Sequence, residues 1–244
     1  MTHTIGTALD AALANNPARP LLTQLFAGGQ RIELSVRTFE NNVAKAANLL
    51  RDDVECGSQS RISLLLPLHW QTSVWLGASA LVGSQAQIGS VASDSLACIS
   101  GPDHLAELRE LAPRGAALYA TALHPLGLPF PAEPTGAIDV AREVRAHGDR
   151  FTAYDLVPPE APWLQFGSAS WTQGEAIESA RTLADSLGLG KGGRLLCSID
   201  LDEQSVLALL ALPLAIDGSV VLVTDPGADL DIVFAQEQCD ARLS

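Results

Sequence analysis

The sequence predicts an α/β fold in which mostly parallel sheets are flanked by helices. Helical and strand-like stretches alternate along the chain, and the strand-like stretches are nearly continuous apolar runs, as expected for strands buried on both faces. The chain has 244 residues, 47% of them hydrophobic, so it is long enough to bury a large core. We therefore expect two pseudo-repeated α/β halves that are tightly joined.

The first half begins with a helix and a β-hairpin. A short amphipathic pattern predicts a helix over 5–15, and two apolar runs around AGGQ (27–30) predict the hairpin. Apolar residues at helical spacing predict a second helix over 39–50. The later predicted elements are a strand over 61–66 that ends at Pro67, a helix over 70–81, strands over 86–91 and 96–100, a helix over 104–111 and a strand over 115–121.

A proline-rich connection follows. Prolines exclude regular structure there, at Pro125, Pro129, Pro131 and Pro134. A weak helix over 138–147 and a second proline cluster complete this connection. We therefore divide the chain into a first α/β half over 1–124, a connection over 125–162 and a second α/β half over 163–244, which we expect to form one compact unit.

The second half resembles part of the first. Residues 38–67 and 171–200 both contain a helix, a glycine-containing loop, an arginine and an apolar strand, so that Arg61 aligns with Arg194. Two explanations stay open: an internal duplication, or two helix–strand–helix units that look alike. The predicted elements of the second half are strands over 163–166, 192–199 and 218–224 and helices over 175–187, 203–216 and 229–238.

The charge of the chain argues against polyanionic partners. The formal net charge is −13, and the only lysines are Lys45 and Lys191. A protein this acidic repels nucleic acid. The same field opposes ATP and coenzyme A unless a local basic or N–H-rich pocket offsets it. We therefore expect no nucleic-acid partner.

The cysteines and the apolar segments favour a cytoplasmic protein. No two cysteines form a CxxC pair, so we expect free thiols and no metal site. The N-terminus lacks the basic and apolar pattern of a signal peptide. The longest apolar run, from Val206, is too short to span a bilayer and contains Pro213. We expect no membrane association.

Three stretches carry a family resemblance that covers most of the chain. Residues 31–89 contain a Phe-led helix, a glycine loop, a strand and a helix that ends in a small-residue turn. Residues 162–168, PWLQFGS, follow a proline-rich link. Residues 183–223 contain a helix, an LGL loop, a strand, a helix and a glycine-led strand. Together they resemble the N-terminal part of the adenylate-forming superfamily, which includes acyl-CoA and aryl-CoA synthetases, peptide-synthetase adenylation domains and luciferases.

The sequence departs from that family at its phosphate loop. The resemblance places a loop of the type TSGTTGxPK where this chain has FGSASWTQGE (166–175), which lacks the proline and the lysine. The later Tyr-Gly-x-Thr-Glu segment, the ribose-binding Asp and the C-terminal domain with its catalytic Lys would lie beyond Ser244. We therefore expect a truncated relative with a degenerate phosphate loop, similar to short adenylation-like proteins of unassigned function from high-GC bacteria.

Two interpretations of this stretch stay open. Thr172 and Glu175 have the spacing of a capping box, which would simply begin a helix. Alternatively, the backbone of Gly167 and Ser168 and the hydroxyls of Ser168, Ser170 and Thr172 form a weak anion or nucleotide site. The resemblance implies ATP or AMP with Mg²⁺ as the ligand of such a site.

Other polar residues stand at predicted strand ends. Asp200, Asp202 and Glu203 follow a strand at the carboxyl edge where open α/β sheets build sites, and they suit either a metal or a helix N-terminus. Asp225, Asp229 and Asp231 have the chemistry of a turn and a helix N-cap. His69 suits either an acid–base group or a helix start.

Three functions follow from these patterns. The leading hypothesis is an adenylation-like protein that does not form adenylates and that binds a small molecule or a partner; no catalytic residue is assigned. The second is a weak AMP- or ATP-binding protein, or an AMP-forming ligase-like enzyme with an acyl or nucleotide ligand. The third is a homo-oligomer built on apolar surface, which the mean hydropathy of +0.19 favours.

Overall fold

Two sheets form the centre of the computed structural model, which describes residues 3–244. The smaller sheet has the strand order β12-β10-β11-β1-β2, in which only β2 runs antiparallel to its neighbour. The predicted hairpin is confirmed as β1–β2, and its turn contains Gly28 and Gly29 at positive φ. The strands of this sheet are β1 (Pro20–Leu25), β2 (Arg31–Ser35), β10 (Arg194–Cys197), β11 (Ser219–Val223) and β12 (Ala241–Leu243).

The larger sheet has seven strands in the order β7-β6-β5-β3-β4-β8-β9. Its strands are parallel except for the last pair, β8 and β9, which form an antiparallel hairpin at the sheet edge. Its strands are β3 (Arg61–Leu65), β4 (Gln85–Ile88), β5 (Ala97–Ser100), β6 (Ala117–Ala120), β7 (Ile138–Asp139), β8 (Pro162–Phe166) and β9 (Ala169–Thr172). Each sheet therefore takes strands from both of the halves 1–124 and 163–244.

Helices cover the sheets and share one main core with them. The helices are α1 (Ile5–Asn15), α2 (Val36–Asp52), α3 (Trp70–Val82), α4 (Leu105–Leu111), α5 (Val140–Glu143), α6 (Gln173–Ser186), α7 (Glu203–Ala208), α8 (Ala211–Ala215) and α9 (Leu230–Gln236). Nearly all residues of α3 are buried, because it packs against α2 and contacts both sheets. At Gly77 of α3 a Cβ atom would lie 2.8 Å from the Val43 side chain, so glycine permits this close approach.

The fold class predicted from the sequence is confirmed, with local corrections. The predicted helix over 203–216 is two helices, because Pro213 has no N–H for the Leu209 carbonyl and its ring crowds that carbonyl. The weak helix over 138–147 is a two-residue strand followed by two short helical turns. Strands β9 and β12 were not predicted. None of the helices between residues 3 and 244 combines the length and hydropathy needed to cross a membrane.

Candidate ligand-binding cleft

The FGSASWTQGE stretch is a tight β-hairpin. Phe166 of β8 pairs with Ala169 of β9, so Gly167 and Ser168 alone form the turn. Gly167 has φ of 56°, whereas Ser168 has no positive φ, which is the arrangement of a type II′ turn with glycine at its first central position. A two-residue turn of this kind joins the strands directly, with no longer loop between them.

The four candidate nucleotide-binding residues are spread along this hairpin. Gly167 and Ser168 are exposed at the turn. Ser170 is exposed on β9, where its Oγ accepts a 3.5 Å hydrogen bond from the Gln85 side chain. Thr172 lies at the far end of β9, at the start of α6. The structure therefore places the Ser168 hydroxyl in the turn and the Ser170 and Thr172 hydroxyls at alternate positions of the edge strand β9.

The predicted capping box is confirmed. The Glu175 N–H donates to the Thr172 hydroxyl at 3.2 Å, and the Thr172 N–H donates to the Glu175 carboxylate at 2.9 Å. The hydrogen bond from the Thr172 backbone lowers the pKa of Glu175 below its usual value. The Thr172 hydroxyl and two N–H groups at this helix start are thus already used within the protein.

A cleft of about 720 Å³ lies at the carboxyl ends of strands from both sheets. This is the edge at which open α/β sheets place their ligands. The hairpin borders it, since the Phe166 ring lies beside Gly89 on the cleft rim. The segments that line it are 65–68 after β3, Gly89 after β4, Gly101 after β5, Asp103, His104 and Glu107 at the start of α4, Leu123, 198–201 after β10, 223–226 after β11, Ala228 and Leu230.

The lining of the cleft is apolar and acidic. Leucine, isoleucine, valine and proline make up half of its lining residues, and its carboxylates are Asp103, Glu107, Asp200 and Asp225. Within residues 3–244, the residues that line this cleft include no lysine or arginine. His104 Nδ1 lies 2.8 Å from a carboxylate oxygen of Glu107. An anionic ligand would therefore meet several negative charges with no arginine or lysine to offset them.

Helix N-termini near the cleft are capped by side chains of the protein. The Gln204 and Ser205 N–H groups donate to Asp202 at 2.9 and 2.7 Å. The Asp231 and Ile232 N–H groups donate to Asp229 in the same way, at 3.0 and 3.1 Å. These contacts confirm the helix-cap interpretation of both aspartates. They also occupy N–H groups that would otherwise attract an anion.

His69 is the buried N-cap of α3, as the helix-start interpretation predicts. Its Nδ1 accepts a hydrogen bond of 3.1 Å from the Gln71 N–H, which leaves the proton of the neutral ring on Nε2. Burial lowers the pKa of His69 from 6.5 to about 4, so the ring is neutral near pH 7. Its ring packs against Phe26 and Trp70 with centroid distances of 5.5 and 5.8 Å.

The sequence identified only part of this cleft. Asp200 and Asp225 were recognised as acids beyond strand ends, and both line it. The segment 65–68 and the residues Asp103 and Glu107 were not recognised, although each follows a predicted strand. The missing information was that β3, β5, β10 and β11 direct their carboxyl ends towards one space from two different sheets.

Comparison with known sequences gives the family. No family model matches the chain. A Mycobacterium tuberculosis protein described as a TIGR03089 family protein is 34% identical to it over 227 residues, which is 91% of this chain and 89% of that protein. This chain belongs to the TIGR03089 family. The relationship extends over nearly the whole length of both proteins.

Solved structures show the wider fold relationship of this TIGR03089 family chain. A Brucella canis acyl-CoA synthetase matches with a TM-score of 0.77 and 13% identity, over 98% of this chain and 47% of that one. The N-terminal domain of FACL13 from M. tuberculosis matches with 0.77 and 12%, over 97% and 61%. The chain thus spans about half the length of the matching synthetase. The predicted resemblance to the N-terminal part of acyl-CoA synthetases is confirmed at the level of the fold.

Proposed function

We propose that this TIGR03089 family protein is a ligand-binding protein that uses an acyl-CoA synthetase-like fold without forming adenylates. The observation that carries the proposal is the two-residue turn at Gly167 and Ser168, at the position where the family resemblance places a phosphate loop. A phosphate loop wraps oxygens with several consecutive N–H groups and adds a lysine. A turn of two residues supplies too few donors, and it carries no cation of its own.

The cleft supports a ligand of a different kind. Its volume of about 720 Å³ lies within the range of small-molecule sites, and its lining is largely apolar. Its four carboxylates disfavour phosphates and carboxylic acids, and helix caps already occupy nearby N–H groups. We therefore propose a small, mostly apolar ligand that is neutral or positively charged.

The direct test of the absence of adenylation is ATP–pyrophosphate exchange with Mg²⁺ across a panel of fatty and aromatic carboxylic acids. A full-length acyl-CoA synthetase serves as the positive control. We expect exchange at the level of a protein-free blank. Robust exchange that depends on the acid would refute the proposal.

Ligand binding in the cleft is tested separately. Native mass spectrometry of the purified protein reports any co-purified molecule, and thermal unfolding is then measured with matched apolar amines, alcohols and carboxylic acids of equal chain length. We expect the amine or the alcohol, but not the acid, to raise the melting temperature. Equal or greater stabilisation by the acid would contradict the proposed ligand class.

The exposed hairpin favours weak nucleotide binding as a second candidate function. Gly167 and Ser168 are exposed at the hairpin turn, so their N–H groups and the Ser168 hydroxyl are accessible to AMP or ATP with Mg²⁺. Under this alternative, millimolar nucleotide raises the melting temperature, and the double substitution Gly167→Ala, Ser168→Ala abolishes the rise. A wild-type melting temperature that does not change with nucleotide would remove this candidate.

The proline-rich connection favours a third candidate, a homo-oligomer. It carries large apolar side chains that are strongly exposed, at Leu126 (71%), Tyr154 (82%) and Leu156 (98%). Sedimentation equilibrium tests this candidate, and a monomer at all concentrations would count against it.

The four buried free cysteines suit a reducing compartment, so we place the protein in the cytoplasm.

A further inference from the structure

One cluster among residues 3–244 brings three potential metal donors together, at the C-terminal end of α2. The donor atoms of Asp53, Glu143 and His147 all lie within 4.8 Å of one another. Asp53 is the C-cap residue of α2, and Glu143 is the last residue of α5. His147 follows the helical turn over 144–146. The three donors therefore come from segments that are distant in sequence or separated by a turn.

The spacing of the closest pair suits a shared metal ion. His147 Nε2 and Asp53 Oδ2 are 3.1 Å apart. Two ligands on one tetrahedral Zn²⁺, with bonds of about 2.0–2.2 Å, lie about 3.3–3.6 Å apart. A metal ion between these two atoms would need only a small adjustment of either side chain.

The backbone around His147 is held by α2. The side-chain amide of Asn48, which is only 6% exposed, donates to the carbonyls of Gly148 and Arg150 at 2.9 Å each. Arg51 donates to the Thr152 carbonyl at 2.8 Å. The His147 side chain itself is 11% exposed. The histidine is therefore positioned against Asp53 before any ion arrives, which lowers the entropy cost of binding.

The cluster also has uncompensated negative charge. In the described part of the chain, neither Asp53 nor Glu143 forms a salt bridge with a lysine or arginine. The nearby Arg51 is engaged elsewhere, since it forms two hydrogen bonds with Asp52 and stacks on Tyr154. The two carboxylates of the cluster therefore attract a cation.

We propose that Asp53, Glu143 and His147 form a binding site for a divalent transition-metal ion such as Zn²⁺, with water completing the coordination. The mixed imidazole and carboxylate donors favour Zn²⁺, Co²⁺ or Ni²⁺ over Mg²⁺ and Ca²⁺, which prefer oxygen ligands alone. The proposal departs from the sequence-based expectation of no metal site, which rested on the spacing of the cysteines. It is independent of the proposed function of the cleft.

The test uses the untagged protein, treated with EDTA and exchanged into metal-free buffer. Zn²⁺ binding is measured by calorimetry, and Co²⁺ binding by the visible absorption of the protein-bound ion. We expect one equivalent of metal per chain. The absence of stoichiometric binding would overturn the proposal.

Variants distinguish the site from general surface binding. We expect His147→Ala and the isosteric Glu143→Gln each to weaken Zn²⁺ binding at least about tenfold, since even outer-shell partners of metal ligands contribute that much. The matched control is His124→Ala, at a histidine outside both the cluster and the cleft whose Nδ1 accepts a 3.1 Å hydrogen bond from the Leu126 N–H; it should leave the affinity unchanged. Circular dichroism checks that each variant is folded. Equal affinity in wild type, His147→Ala and Glu143→Gln would also overturn the proposal.

Discussion

The β8–β9 hairpin and the acid-lined cleft are neighbours at one edge of the larger sheet, yet only the cleft has the shape of a binding site. The hairpin contains the residue types that suggest phosphate binding, but it presents them on an exposed edge strand. The cleft also has glycine and hydroxyl residues in its lining, but it is concave, largely apolar and bounded by strand ends from two sheets. The two regions touch through Phe166 and Gly89.

Glycine and hydroxyl residues suit phosphate binding best where the backbone gathers several N–H groups around one point. In the hairpin, the candidate residues follow one another along the turn and β9, and the Thr172 hydroxyl caps a helix.

The largest effect is expected for the residue that anchors the hairpin to the core. Trp163 of β8 is fully buried, and its Nε1–H donates to the Leu76 carbonyl of α3 at 3.0 Å. Trp163→Ala should lower the free energy of unfolding by about 3–5 kcal/mol, because it leaves a large cavity. Urea denaturation measures the change. The control Trp163→Phe keeps most of the volume and should cost clearly less. A cost below about 1 kcal/mol for Trp163→Ala would show that the hairpin is not anchored there.

The second effect concerns His69, which follows the cleft residue Leu68. Because burial lowers its pKa from 6.5 to about 4, the unfolded chain takes up this proton at a higher pH than the folded protein. The contribution of neutral, buried His69 to the stability of the folded protein is fully present above pH 6.5 and is lost as the pH falls towards 4. The free energy of unfolding should therefore drop by about 2–3 kcal/mol between pH 7.5 and 4.5.

His69→Asn keeps a side-chain cap for α3 and should remove this pH dependence. Urea denaturation of both proteins is compared at pH 4.5 and above. The comparison stops at pH 4.5 because carboxylates also affect stability below it. Hydrogen bonding to Arg31 lowers the pKa of Glu237 from its usual 4.5, so wild type and variant both lose stability as Glu237 becomes protonated. Parallel pH profiles for wild type and variant would show that His69 titrates normally.

A smaller effect is expected in the hairpin turn. Gly167 has φ of 56°, which costs a residue with a Cβ atom about 1–2 kcal/mol. Gly167→Ala should therefore destabilise the protein by that amount, whereas Ser168→Ala, at the exposed neighbouring position, should change stability by less than about 0.5 kcal/mol. Thermal or urea unfolding distinguishes the two. A larger loss for Ser168→Ala than for Gly167→Ala would contradict the two-residue turn.

The smallest effect is expected at the helix cap. Thr172→Ala removes the side-chain acceptor for the Glu175 N–H and should cost about 1 kcal/mol. Thr172→Ser, which keeps the hydroxyl, is the matched control and should cost less. If Thr172→Ala instead left stability unchanged but altered a nucleotide-dependent melting shift, the hairpin rather than the cleft would be the binding region.

The sequence predicted most elements, and its errors have physical causes. The β9 segment has only four residues, so its alternation of Ala169 and Trp171 with Ser170 and Thr172 is too short to identify a strand. Its pairing with β8 supplies the stabilisation. The three-residue strand β12 likewise depends on its neighbour β10, which lies more than 40 residues away. Short edge strands are stabilised by tertiary pairing, which local sequence does not reveal.

The apparent repeat is mirrored in one set of contacts. Arg61 opens β3 and donates to Gln85, which lies opposite it on β4. Arg194 opens β10 and donates to Ser219, opposite it on β11. Both arginines thus join the first positions of two parallel strands. Internal duplication stays a prediction, because two helix–strand–helix units of separate origin can each have an arginine at the start of the strand.

The cleft could not be predicted because its walls come from two sheets whose strand order the sequence does not give. The sequence indicates that Asp200 and Asp225 are acids at strand ends. The strand ends that face them are set by how the chain passes from one sheet to the other, which the sequence does not show. Helix caps were easier to predict, since Asp202, Asp229 and Thr172 act on residues only two or three positions away.

Because each sheet takes strands from both halves of the chain, strands that pair with one another are synthesised at different times on the ribosome. The β1 strand, near the start of the chain, pairs with β11, which is made almost 200 residues later. Until β11 emerges, β1 and β2 form a hairpin whose inner edge is open to other chains. The nascent chain must therefore keep β1 and β2 from pairing with other chains until β11 has been translated.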